Sequence, residues 1–191
     1  MNDDVMKRRG LALEEAFFAK RDQELIASMW ERVVRDDLGA AMRESGGPVD
    51  EETLDHLVKH GIGPKTLAAL KLVPLVVVCW ANGVVEPAER ELVMQSAAKN
   101  GLQPGMPGYD LLRGWLESRP DPELFESWKS YVHGIASNAD PATRVALKQE
   151  ILATSRAVAE AAGKIFGYFL GASAEEKAVL REIEQAFDHA G

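Results

Sequence analysis

Glycines that stop helices alternate along this chain with prolines that start them, and this punctuation divides the chain from about residue 50 onward into successive helices packed side by side. Gly61, Gly83 and Gly101 each follow an apolar run, while Pro64, Pro87, Asp121-Pro122 and Asp140-Pro141 stand where the next run begins. The chemistry is asymmetric. Glycine enters the left-handed region cheaply just past a helix end, and proline has no N–H to offer and so suits the first turn. Between these marks apolar residues recur every three or four positions: Leu54, Leu57 and Val58; Leu92, Val93 and Ala97; Leu111, Leu112, Trp115 and Leu116; Leu124, Phe125, Trp128, Tyr131, Val132 and Ile135. That is the period of one buried helix face.

The run Leu75-Val76-Val77-Val78-Cys79-Trp80 reads equally as a buried strand, but no second β-rich run exists to pair with it. A lone buried strand leaves its amides unsatisfied, so helix is expected here, with Pro74 kinking the helix after Pro64 or starting the next. The expected fold is all-α, a compact multi-helix bundle in one domain over residues 1–191. Its parts are an N-terminal helical segment (10–49), a first helical half (50–119) and a second (120–191).

The first helix is expected from Leu11 to about Glu44, with Leu13, Phe17, Leu25, Met29 and Val33 on its apolar face and Ser45 to Pro48 ending it. Asp50 reads as the N-cap of the next helix, and Ser173-Ala174-Glu175-Glu176 as a capping box for the last. Trp30, Trp80, Trp115 and Trp128 are expected as core anchors. The glycine-spaced segment from Gly163 to Gly171 reads as a hydrophobic plug, with an exposed docking patch as its alternative. A faint repeat aligns Ala81-Asn82-Gly83 and Glu89 to Val93 with Ala161-Ala162-Gly163 and Glu176 to Leu180. Pseudo-twofold packing and a coincidence of similar capping chemistry explain it equally well.

The formal net charge is -8. That repels phosphate backbones unless cations are gathered on one face, so nucleic acid is disfavoured as a partner. The N-terminus lacks an apolar secretory core, and the longest apolar run falls well short of the roughly 18 to 20 residues that span a bilayer. The single cysteine, Cys79, sits among apolar neighbours, which suits a reducing cytoplasm and an unreactive thiol.

Ala81-Asn82-Gly83-Val84-Val85-Glu86-Pro87-Ala88-Glu89-Arg90 places three oxygen-bearing side chains within eight residues of a turn and restart. Gly83 permits a sharp turn, and Glu86 and Glu89 share one face of the new helix. Asn82, Glu86 and Glu89 are therefore the candidate metal ligands, for magnesium or calcium. A helix N-terminus favours the same acidic residues with no ion present, through its dipole and free amides.

This segment resembles the signature of tellurite-resistance-B-like (TerB-like) helical domains, A-D-G-x-[IV]-[DE]-x-x-E, with Asn82 in place of the aspartate. The resemblance covers mainly Leu67 to Gly101. A wider likeness, to uncharacterised bacterial helical proteins, rests on Leu13 to Ala19 and Trp80 to Gly83. What it implies is an all-helical fold, a metal-responsive surface and a role in stress response or in assembly at protein or membrane-associated complexes. It carries no catalytic residues. Apart from the resemblance, a helical interaction module with an unidentified protein partner is expected, and a homo-oligomer is open.

Glu52, His56 and His60 stack at i, i+4 and i+8 on one helix, a solvated stripe before it is a zinc site; Leu57 stands where a metalloprotease motif needs its glutamate. Leu57 to Thr66 resembles a helix-hairpin-helix turn, so DNA contact through Gly61 to Lys65 is the alternative function, and a structural scaffold without ligand is the other. No enzyme signature is found, and none of the paired carboxylates reads as catalytic.

Overall fold

The computed structural model describes residues 2–44, 50–162 and 172–188, without the side chains of residues 2–19, 22 and 162. Nine helices and no strand are found among them: α1 (Asn2–Glu44), α2 (Glu51–Lys59), α3 (Leu67–Leu70), α4 (Val73–Cys79), α5 (Pro87–Lys99), α6 (Pro107–Glu117), α7 (Glu123–Asn138), α8 (Pro141–Ala162) and α9 (Ala174–Asp188). The fold is all-α, as the punctuation requires. Gly163 to Gly171, the expected plug, lies outside the described residues.

α4 is the hub, in contact with α5, α6, α7, α8 and α9. Val73, Pro74, Leu75, Val76, Val78 and Cys79 are all buried, so this helix is apolar all round and tertiary burial overrides the weak helix propensity of its valines. Pro74 stands in the first turn of α4 and starts it. The helix expected directly after Pro64 is shorter than its sequence suggests. Residues 64–66 form a turn, α3 has only four residues, and the chain breaks again before α4.

Local caps agree with the sequence. Asp50 Oδ1 accepts the Thr53 amide at 2.8 Å. Asp140 Oδ1 accepts those of Ala142 and Thr143 at 3.0 and 3.1 Å. Ser173 and Glu176 bond reciprocally. Around α4, Trp128 is fully buried, stacked on Phe125 with ring centroids 5.5 Å apart and edge-on to Phe187 at 6.5 Å.

α1 departs from expectation twice. It begins at Asn2 rather than Leu11, and at 43 residues it is about 65 Å long. It meets α2 near its C-terminal end, where Leu38 and Met42 are fully buried. Every described side chain from Lys20 to Val33 is exposed. Leu25, Ile26, Met29 and Val33 are 49 to 59% exposed and Trp30 is 65% exposed, so Trp30 is no core anchor. The helical period marks an apolar face correctly but does not report what covers it. No described helix is long and apolar enough to cross a membrane.

Candidate functional site

Gly83 adopts φ +90°, the left-handed turn its position calls for. Asn82 is exposed, and its Oδ1 accepts the Val84 amide at 3.1 Å. Glu86 is half-buried and caps α5, in a capping box with Glu89 whose Oε2 accepts the Glu86 amide at 2.8 Å. Glu89 is fully buried, and its Oε1 has no hydrogen-bond partner. Burial, reinforced by the charges of Glu176 and Glu86, pushes its pKa up to about 7 against the pull of the Glu86 amide. All three proposed ligands thus already serve backbone amides of the turn or of the start of α5.

The turn is clamped to α6 from both sides. Trp80 Nε1 donates to the Trp115 carbonyl at 2.7 Å, and Arg90 Nη2 to the Leu116 carbonyl at 2.8 Å. These acceptors belong to the last turn of a helix, where carbonyls have no intrahelical partner. Cys79 is buried nearby, and burial followed by the Glu89 charge pushes its thiol pKa up, which keeps it protonated and unreactive.

A second cluster forms where α2 ends and α7 begins. His60 follows α2 as its C-cap, and Asp121 and Glu123 flank the start of α7. One ligand atom from each of His60, Asp121 and Glu123 lies within 4.8 Å of the others. Lys59 Nζ meets Glu123 Oε2 at 2.6 Å, and His60 Nε2 lies 3.9 Å from the same oxygen. The Lys59 hydrogen bond holds the Glu123 carboxyl below its ordinary range. The His60 side chain is only 9% exposed, and Nε2 makes no hydrogen bond. Burial pulls its imidazole pKa below the ordinary value.

The other stripe residues, Glu52 and His56, face elsewhere. They line a cleft of about 750 Å³ between α2, α7 and α9, together with Glu126, Ser130, His133 and Glu182. The expected solvated stripe is thus divided: Glu52 and His56 line this cleft, while His60 meets Asp121 and Glu123 where α2 ends and α7 begins. Sequence reading passed over Asp121 and Glu123 as ligands, because their link to His60 spans some sixty residues of chain.

The helix-hairpin-helix reading finds its amide occupied. The Gly63 N–H donates to Thr66 Oγ1 at 2.7 Å, and that hydroxyl donates to the Gly61 carbonyl at 2.8 Å. The turn satisfies itself internally, and α3 beyond it is too short to offer much of a dipole.

No protein-family profile, no curated protein and no solved structure matches this chain. The TerB-like resemblance finds no support in these comparisons.

Proposed function

We propose that this chain is a non-enzymatic helical interaction module that pairs with a second copy of itself along α1. The observation carrying this reading is the exposed stripe of Leu25, Ile26, Met29, Trp30 and Val33. These five side chains fall on one side of the helix, turned away from the Leu38 and Met42 face that packs against the body. A contiguous apolar stripe of this kind on a polar helix marks an interaction surface.

A second copy is the occupant that the charges favour. From Lys20 to Asp37 the helix carries four cations (Lys20, Arg21, Arg32, Arg35) and five anions (Asp22, Glu24, Glu31, Asp36, Asp37), whereas the whole chain carries -8. Two α1 helices can lie together without the repulsion that would oppose contact between the acidic bodies. Covering each half-exposed side chain contributes about 1 kcal/mol, so ten across the pair contribute roughly 10 kcal/mol. Association itself costs about 4 to 15 kcal/mol, which makes this a weak, concentration-dependent dimer.

Sedimentation equilibrium tests the reading. The expected result is a monomer–dimer equilibrium that Met29→Glu with Trp30→Glu shifts to monomer while leaving helix content unchanged. A chain that stays monomeric at high concentration overturns the reading, and so does a dimer indifferent to both substitutions. The cation expected at Asn82, Glu86 and Glu89 and DNA contact at Gly61 to Lys65 form no part of this proposal: Asn82 and Glu89 each already give an oxygen to a backbone amide, and the Gly63 amide is taken by the Thr66 hydroxyl.

A further inference from the structure

We propose that His60, Asp121 and Glu123 bind one transition-metal dication of the zinc class at the junction of α2 and α7, displacing the Lys59 ammonium from Glu123. Two independent observations converge on this site. One is placement: an imidazole nitrogen at the end of α2 and two carboxylates at the start of α7 lie within 4.8 Å of one another. The other is His60 itself, whose side chain is nine-tenths buried and whose Nε2, 3.9 Å from Glu123 Oε2, has no hydrogen-bond partner. A buried ring nitrogen left unsatisfied is costly, and native folds rarely keep one without a use.

The donor set selects the ion. Magnesium and calcium take oxygen ligands, whereas an imidazole with two carboxylates suits zinc, cobalt or manganese, with water completing the shell. Neighbouring ligand atoms around a tetrahedral zinc lie about 3.4 Å apart, so the 3.9 Å separation of Nε2 and Oε2 has to shrink by only about half an ångström. Glu123 is 48% exposed and can make that adjustment, and the ion can enter from solvent.

Lys59 gives the site its distinguishing property. Its Nζ meets Glu123 Oε2 at 2.6 Å, so a cation already sits against one ligand atom. An arriving metal competes with this ammonium. Removing Lys59 should therefore strengthen metal binding even though the residue is not a ligand.

The test is titration of the full chain with zinc by calorimetry and with cobalt by visible absorption, where an imidazole-ligated ion gives ligand-field bands. Expected are one equivalent bound, at least tenfold weakening in His60→Gln and in Asp121→Asn, and at least threefold tightening in Lys59→Met. Asp121→Asn keeps the oxygen that accepts the Glu123 amide at 2.9 Å, so it retains the fold if His60→Gln does not. His133→Ala, in the neighbouring cleft, should bind as the parent does. No binding by either metal overturns the proposal, as does binding that survives both ligand variants or is lost in His133→Ala. Unchanged or weaker binding in Lys59→Met overturns the displacement of Lys59.

Discussion

Glu89 and Glu176 occupy the same place in two different helices: each is the third residue of its helix, and each accepts the backbone amide of the residue that caps it, from Glu86 at 2.8 Å and from Ser173 at 2.6 Å. Both are buried, at 0% and 2% exposure, and the Glu176 charge is felt at Glu89. The faint sequence repeat pairs these two glutamates. Two acidic caps are thus turned into the interior around α4 rather than out to solvent, a placement with measurable consequences.

The first concerns pH. Glu89 titrates at about 7 when folded, above its ordinary 4.5, with burial as the main cause. The folded state therefore holds a proton that the unfolded chain has lost, so the stabilisation is complete below pH 4.5 and is lost as pH rises to about 7. At about 1.4 kcal/mol per pH unit, the loss is on the order of 3 to 4 kcal/mol. Glu89→Gln keeps an oxygen for the Glu86 amide and removes the charge. Urea denaturation should find this variant more stable than the parent at pH 8, with a flatter decline between pH 5 and 7; parallel pH profiles would contradict the assignment.

Gly83 supplies a second prediction. At φ +90° a side chain is strained, yet a Cβ built there meets nothing within 4 Å. The cost of Gly83→Ala is then backbone strain alone, about 1 to 2 kcal/mol. Gly83→Asn should cost less, because asparagine tolerates the left-handed region better. Thermal melts of the two variants check this ordering, and equal losses would point to a steric cause instead.

Helix ends were legible in the sequence because capping is local: Asp50, Pro87, Asp140 and Ser173 act within three or four residues of themselves. The valine-rich α4 was legible by elimination, since a strand there had no partner. What was missed was decided by distant packing. Trp30 and Trp128 look alike within their helices, and only the assembled bundle covers one and leaves the other in water. Glu89 reads as a solvated cap or a ligand until the assembled bundle buries it. His60 pairs with Asp121 and Glu123 only because the end of α2 meets the start of α7.

Trp80 offers a third prediction. Its Nε1 donates to the Trp115 carbonyl at 2.7 Å, in a partly buried setting at the end of α6. Trp80→Phe keeps most of the apolar ring and removes the donor, leaving that carbonyl without this partner. A loss of about 1 to 3 kcal/mol is expected. Hydrogen exchange should report faster opening in the last turn of α6; uniform destabilisation across the bundle would mean that the ring's packing, not the hydrogen bond, was lost.

The two tryptophans of opposite fate give the sharpest comparison. Trp128 is fully enclosed and packs against Phe125 and Phe187, so Trp128→Ala removes a large buried ring and should cost about 3 to 5 kcal/mol. Trp30 is 65% exposed on α1. In dilute solution, where the chain is monomeric, Trp30→Ala should change stability by no more than about 0.5 kcal/mol. At higher concentration the proposed pairing of α1 covers Trp30, so the parent's melting temperature should rise with concentration while that of Trp30→Ala rises less. If Trp30→Ala is as destabilising as Trp128→Ala in the dilute monomer, then α1 folds back over its own apolar stripe and the surface assigned to pairing is not free.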